Sequence, residues 1–392
     1  MQKGREVLLR DEVHYFDFAA TTFMCAEALN KYIEFQRGTG ILWGKGDNVL
    51  SDSSRRYFDE AVKTLRRHFG LSDDYSIIFG KNTTELINIV AQAVMPLIRP
   101  SDIILVGPYE HHSNFLPWKY IARATDAIFL EMPTDLETGA PNMDFLRSIA
   151  HRVKVVAYST VANTNAYAAD VNALNAIFPK ETLIFTDESQ KVAHTPLTVS
   201  DDISGYILSS HKMYGPKNIA GAFIKKNLIE VMRPVILGGG MIDLQQLEDI
   251  WLDGEYKFYA GTFDVGLISA WAQACRYIES ISYKEIQRRE SEYYSTIKKF
   301  LDGFDQVRII NGECSARSML SFVCTDIHPH DIERNLSKDN VIIRSGHMCA
   351  QNALRRLGYH SINRISFGLG IRDEDLRALC ASLKKCFEGA KP

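Results

Sequence analysis

Several short stretches carry side chains that could do chemistry together. The most telling spans residues 206–218, YILSSHKMYGPKN. A short apolar run (Tyr206, Ile207, Leu208) leads into Ser209, Ser210, His211 and Lys212, and Tyr214-Gly215-Pro216 then breaks the chain. A lysine just past a buried strand sits at the rim of a parallel sheet, where α/β proteins place their ligands. Its amine can form a Schiff base there with a carbonyl cofactor such as pyridoxal phosphate. Asn82-Thr83-Thr84 opens a predicted helix, and the free N–H groups and hydroxyls at such an end bind phosphate. Asp187 closes the run LIFTD, with Gln190 one turn on. A carboxylate held at that strand end can pair with a protonated pyridine nitrogen. His111 and His112 lie in the polar loop YEHHSN, where an imidazole can stack on an aromatic ring.

The last reactive group is Cys349, in RSGHMCAQ. Gly346 gives the backbone freedom and Ala350 leaves room, as a mobile nucleophile loop requires. Arg344 and His347 stand nearby in sequence and are suited to supporting a thiolate. Taken singly, each group has an ordinary explanation. Thr83 and Asp187 suit helix caps, Lys212 a solvated loop, and Cys349 an incidental thiol.

The elements that must position these groups alternate along the chain. Short β-rich runs at 76–79, 103–106, 153–158, 183–186, 206–208 and 221–224 are separated by loops and helical patterns. This predicts a mostly parallel sheet with helices on both faces. Helices are expected at 27–37 and 53–69, the second carrying Tyr57, Ala61, Leu65 and Phe69 at a spacing of four with Gly70 as its stop. The glycine-rich stretch 38–47 reads as a loop. After Gly238-Gly239-Gly240 come two long helices, 267–281 and 283–301, then strand 319–324, helix 331–336, strands 341–344 and 365–367, and helix 374–387. The expected class is α/β, with a large domain over 20–278 and a smaller C-terminal α+β domain over 279–392 joined by the N-terminal segment 1–19.

Composition narrows the function classes. The chain has 392 residues and a net charge of −3, which gives no electrostatic footprint for nucleic acid. No apolar run approaches the roughly 20 residues needed to cross a bilayer, and MQKGREVLLRDE is not a signal peptide. The seven cysteines include no CxxC pair, so neither zinc nor a disulfide framework is expected. A cytoplasmic home fits.

In order and spacing, NTTE, EHHSN, TDESQ and SSHKMYGP resemble the class V aminotransferase branch of the fold-type I pyridoxal phosphate enzymes. RSGHMCAQ narrows the resemblance to the group II cysteine desulfurases and the related selenocysteine lyases. The similarity runs from YFDFAATT to the final helix.

The resemblance implies pyridoxal phosphate as cofactor, Lys212 as the Schiff-base lysine and Cys349 as the sulfur-accepting nucleophile. It implies Asp187 at the pyridine nitrogen, Gln190 beside the phenolic oxygen and His111 stacked on the ring. Thr83, Ser209 and His211 match phosphate-binding positions. Thr262 matches a threonine that reaches the phosphate of the other protomer's cofactor, which implies a homodimer. Asn163 and Arg364 match residues facing the substrate carboxylate, which a guanidinium can grip through two parallel hydrogen bonds. The implied reaction takes L-cysteine to L-alanine and passes sulfur from Cys349 to an acceptor protein or small thiol.

This chain departs from the family pattern at several positions. Gly44-Lys45-Gly46 replaces a His-Arg-Gly, and Thr160 replaces another histidine. Asn82, Glu188 and Asn218 stand where glycine is usual, and Phe263-Asp264 replaces Pro-Asn. These changes leave open a C–S lyase, selenocysteine lyase, epimerase or aminotransferase on the same scaffold. A silent scaffold protein is the reading from another class, and Lys212, Asp187 and Cys349 argue against it.

Overall fold

The computed structural model describes residues 12–40, 47–135, 139–244, 250–313 and 315–389. The Gly44-Lys45-Gly46 triplet and Cys314 lie outside them.

A seven-stranded sheet forms the centre. In chain order its strands are β1 (Tyr75–Gly80), β2 (Ile103–Val106), β3 (Ile128–Glu131), β4 (Val153–Ser159), β5 (Leu183–Asp187), β6 (Gly205–Ser209) and β7 (Ala220–Lys225). Across the sheet they run β1-β7-β6-β5-β4-β2-β3, and β7 alone runs opposite to the other six. The period-2 alternation of a strand divides its side chains between two cores. Ile77, Leu105, Tyr158 and Tyr206 pack with the helices Ala26–Gly38, Val49–Phe69 and Val265–Ile281. Ile78, Ile104, Ala157 and Ile207 pack with the helices Thr83–Val94 and Leu116–Ala124. Both faces are therefore covered, as a parallel sheet requires.

A second, four-stranded antiparallel sheet is built from β8 (Val307–Ile309), β9 (Met319–Cys324), β10 (Arg344–Gly346) and β11 (Ile362–Ser366), in the order β8-β9-β11-β10. Its core includes Leu320, Phe322 and Ile365, backed by the helices Tyr283–Leu301, Pro329–Ser337 and Asp373–Gly389. Phe16 and Phe18 from the N-terminal segment are buried in the same cluster, and His14–Tyr15 pairs in parallel with Val341–Ile342.

The differences from the sequence reading have local causes. The helix expected from 53 starts at Val49, because Asn48 accepts hydrogen bonds from Leu50 N and Ser51 N and so caps it a turn earlier. It stops as expected at Gly70, which takes a left-handed φ of 66°. Strand β3 and the helix Leu116–Ala124 stand where the sequence pattern marks no element. Strand β3 lies at the sheet edge with partial burial, so its apolar alternation is weak. Strand β11 begins earlier than the expected 365–367, because polar Asn363 and Arg364 sit inside it and conceal it as a β-run.

Candidate active site

The C-terminal ends of the parallel strands carry most of the candidate groups. Thr83 follows β1, His111 follows β2, Asn163 follows β4, Asp187 ends β5, Ser209 ends β6, and Lys212 closes the single turn after β6. Open α/β sheets gather their ligands on this edge. A cavity of about 230 Å³ brings together Thr83, His111, Asp187, Gln190, Ser209 and Lys212. An adjoining cavity of about 530 Å³ shares His111, Asn163, Gln190 and Lys212 with it and adds Arg364 and Cys349. The structure thus assembles all the site residues proposed from sequence except Thr262. That residue is exposed and is not among the described residues lining either cavity.

The residues of the 230 Å³ cavity suit a phosphorylated aromatic aldehyde. Ser209 Oγ is buried without a hydrogen-bond partner among the described residues, as a hydroxyl kept for an anion would be. Thr83 Oγ1 lies 3.0 Å from Ser189 Oγ on the same wall. The Asp187 carboxylate is fixed by its own turn, with Oδ1 accepting from Ser189 N at 2.9 Å. Gln190 donates from Nε2 to Ala19 O at 2.8 Å, which ties this wall to the N-terminal segment.

Electrostatics separate the roles. Burial, reinforced by the Lys212 charge, pushes His111 down to about 3, so its ring is neutral and suited to stacking. His211 is pushed down to about 4 by burial and then by Lys212, and its Nδ1 meets Thr21 Oγ1 at 3.0 Å. Burial also lowers Lys212 below its ordinary value, against the opposing pull of Asp187. A lysine depressed this way holds more of the neutral, nucleophilic amine. It is half-buried and lines both cavities.

Arg364 is braced from behind. Asp17 Oδ1 accepts from Nη2 at 2.9 Å, Asn163 O accepts from Nη1 at 2.8 Å, and Nε has no partner among the described residues. A guanidinium has five N–H donors, so donors remain for a carboxylate. Asp17 Oδ2 also takes Arg344, with Nε at 2.9 Å. Arg344 is therefore engaged by Asp17, and it lines the same cavity as Cys349. His347 likewise meets the loop backbone, accepting Cys349 N at Nδ1 (3.1 Å). Cys349 itself is exposed.

Sequence reasoning overlooked Asp17, Glu110 and Ser159. Asp17 is a charge between Phe16 and Phe18 in an apolar run, and that placement was the available signal. Glu110 is buried behind the Asp187 wall, where it accepts from Ser159 N (2.7 Å), Ser159 Oγ (2.7 Å) and Asn114 Nδ2 (2.6 Å). Gly107 is required beside it, since a Cβ there would lie 2.2 Å from Glu110 Oε1.

Five of the departures from the family pattern, at Asn82, Thr160, Glu188, Asn218 and Asp264, have structural explanations, and Gly44-Lys45-Gly46 lies outside the described residues. Thr160 Oγ1 donates to Glu188 Oε2 at 2.7 Å, and both residues are buried. The changes at 160 and 188 are therefore one linked feature. Asn82 caps its helix through Glu85 N (2.9 Å), and Asp264 caps the helix Val265–Ile281 through Gly266 N (2.8 Å). Asn218 takes a left-handed φ of 63°, which asparagine tolerates better than most residues.

An amine, a carboxylate and hydroxyls gathered at the C-terminal edge of a large, mostly parallel sheet mark the site of an α/β enzyme. Residues 14–379 match the aminotransferase class-V family, and the chain belongs to that family. It is 30% identical over 379 residues to a probable cysteine desulfurase of Staphylococcus epidermidis, covering 95% of this chain and 92% of the relative. The probable cysteine desulfurase of Halalkalibacterium halodurans is 29% identical over 378 residues, covering 95% and 93%. Among solved structures, the apo cysteine desulfurase from Thermococcus onnurineus superposes with a TM-score of 0.92 at 26% identity, covering 98% of this chain and 97% of that one. An Escherichia coli cysteine desulfurase shares the fold at a TM-score of 0.88 and 24% identity, with coverage of 98% and 97%.

Proposed function

We propose that the protein is a pyridoxal phosphate-dependent cysteine desulfurase that converts L-cysteine to L-alanine and carries the sulfur as a persulfide on Cys349. The observation that carries this reading is the convergence of an amine, a thiol and a guanidinium, Lys212, Cys349 and Arg364, on one cavity. When bound, pyridoxal phosphate supplies the electron sink for chemistry at the amino acid's Cα.

The chain's own residues supply the rest. Thr83, Ser209 and His211 would hold the phosphate, His111 the ring face, Gln190 the phenolic oxygen and Asp187 the ring nitrogen. Arg364 and Asn163 orient the substrate carboxylate, with Asp17 fixing the guanidinium. Lys212 takes the Cα proton. The Cys349 thiolate then attacks the substrate sulfur, so an S–S bond forms as the Cβ–S bond breaks and a proton takes sulfur's place on Cβ. The sum is cysteine plus enzyme thiol giving alanine plus enzyme persulfide, with no external oxidant. Passing the terminal sulfur to an acceptor protein or small thiol restores Cys349.

Thr262, exposed in one copy, would complete the phosphate site of a second copy, which makes the working form a homodimer. Residues 20–278 act as the cofactor domain, and 279–392 with the N-terminal segment as the domain that delivers Cys349. The described residues include no helix long and apolar enough to cross a membrane. We place the enzyme in the cytoplasm.

The test is a product assay with L-cysteine and a reductant, run on the native chain and on Cys349→Ser. Alanine and sulfide should form in equal amounts with the native chain. The variant should lose persulfide formation and keep the visible cofactor band. Pyruvate or a keto acid as the main product, or full activity in the variant, would end the proposal.

A further inference from the structure

The Cys349 loop is held in a strained shape by contacts the reaction scheme does not use. Met348 and Cys349 both take left-handed backbone angles, with φ of 54° and 51°, which non-glycine residues rarely adopt singly and more rarely in succession. Such a pose persists only where its surroundings fix it. Gly346, at φ 115°, lets the chain enter the loop.

The fixing groups come from the cofactor side of the molecule. Asn163 Nδ2 donates to Met348 O at 2.8 Å. The main-chain N–H of His112 donates to Cys349 O at 2.6 Å. Its ring then reaches past the cysteine, with Nε2 accepting from Gln351 N at 3.3 Å. His112 therefore grips the loop at two points just after the thiol-bearing carbon, while Asn163 holds it just before. Its ring also sits 6.0 Å from that of His347, which accepts Cys349 N. Acceptance at Nε2 requires a neutral ring carrying its proton on Nδ1. Burial and the neighbouring His347 both push His112 below its ordinary value, which favours the neutral ring, and the Gln351 N–H at Nε2 selects the tautomer.

We infer that His112 is a positioning residue, a latch whose ring holds the Cys349 loop over the cavity so that the thiol meets the substrate sulfur. This rests on the reading of Cys349 as the nucleophile. The role differs from that of its neighbour, since His111 faces the cofactor cavity while His112 faces the loop. Because Asn163 shares the hold on the loop and also lines the cavity beside Arg364, the loop and the substrate pocket are mechanically connected.

The test compares the native chain with His112→Ala, His112→Phe and His112→Gln. Phenylalanine keeps a ring of similar shape without an acceptor, and glutamine restores a carbonyl within reach of Gln351 N–H. Hydrogen exchange of residues 346–352, read by mass spectrometry on the cofactor-free protein, should quicken about tenfold in the alanine and phenylalanine variants, as loss of one hydrogen bond predicts. Single-turnover persulfide formation should fall by a similar factor, with the visible cofactor band retained. Glutamine should recover both readouts. Unchanged exchange in both ring-acceptor deletions overturns the latch. Faster exchange with native persulfide formation overturns its positioning role. A fully active Cys349→Ser chain overturns the parent reading instead, and the exchange measurement, which needs no turnover, separates the two failures.

Discussion

Replacing Glu110 by Gln probes the wall behind Asp187. Glu110 is 4% exposed, and burial pushes its carboxyl up from 4.5 to about 7 despite the donors from Ser159 and Asn114. A carboxyl whose folded value exceeds its unfolded one stabilises the fold while protonated. That contribution is full below about pH 4.5 and is lost as the pH rises through about 7. The separation is worth about 3 kcal/mol, at about 1.4 kcal/mol per pH unit. The native chain should therefore lose most of that stability between about pH 5 and pH 8.5 on account of this residue. Glutamine cannot ionise, but its NH₂ would confront the NH₂ of Asn114, whose oxygen is committed to Trp118 Nε1 at 3.1 Å. The variant should start about 1–3 kcal/mol less stable at the acid end, and the deficit should close as the native chain weakens. Urea unfolding of both proteins across this pH range reads the difference directly. A deficit that stays constant with pH refutes the protonated Glu110 and the electrostatic account of the wall.

Other expected outcomes follow from the same contacts. Lys212→Ala should remove the visible cofactor band and the borohydride-trapped lysine adduct, with turnover reduced about 10³-fold or more, since both the attachment point and the proton-transfer group are gone. Asp17→Asn breaks a buried pair with Arg364 and a half-buried one with Arg344; it should cost about 3–5 kcal/mol in urea unfolding and raise the KM for L-cysteine. Thr160→Val leaves Glu188 Oε2 without the Thr160 hydroxyl and should cost about 1–3 kcal/mol, with Thr160→Ser restoring most of it. Because the hydroxyl also favours the ionised form of a carboxyl already pushed up by burial, the Thr160→Val deficit should widen as the pH rises.

Much of the large sheet was legible because its strands are short, continuous apolar runs bounded by polar loops, as buried parallel strands must be. The reactive groups were legible for a related reason. A functional side chain at a strand end interrupts the hydrophobic pattern abruptly, as Asp187 does after LIFT and Lys212 after the YIL run. Strand β11 was harder, because Asn363 and Arg364 are buried polar residues and the alternation that marks a strand disappears with them. Contacts between distant segments were not legible at all. Asp17 meets Arg364 across 347 positions of sequence, and neither residue's neighbours announce the other.

The Thr160–Glu188 pair shows what this limit means for reading function. Considered one at a time, a lost histidine and a glycine replaced by glutamate both look like damage to an active site. In three dimensions the carboxyl of one receives the hydroxyl of the other. Neither side chain is among the described residues lining the cofactor cavity, although their neighbours Ser159, Val161, Asp187 and Ser189 all are. Where the two strands end, the backbone sets 160 and 188 into the wall, bonded to each other, while 159, 161, 187 and 189 line the cavity. The exchange therefore alters the support of the wall and leaves its inner surface intact, so these two departures do not count against the chemistry assigned to Lys212 and Cys349.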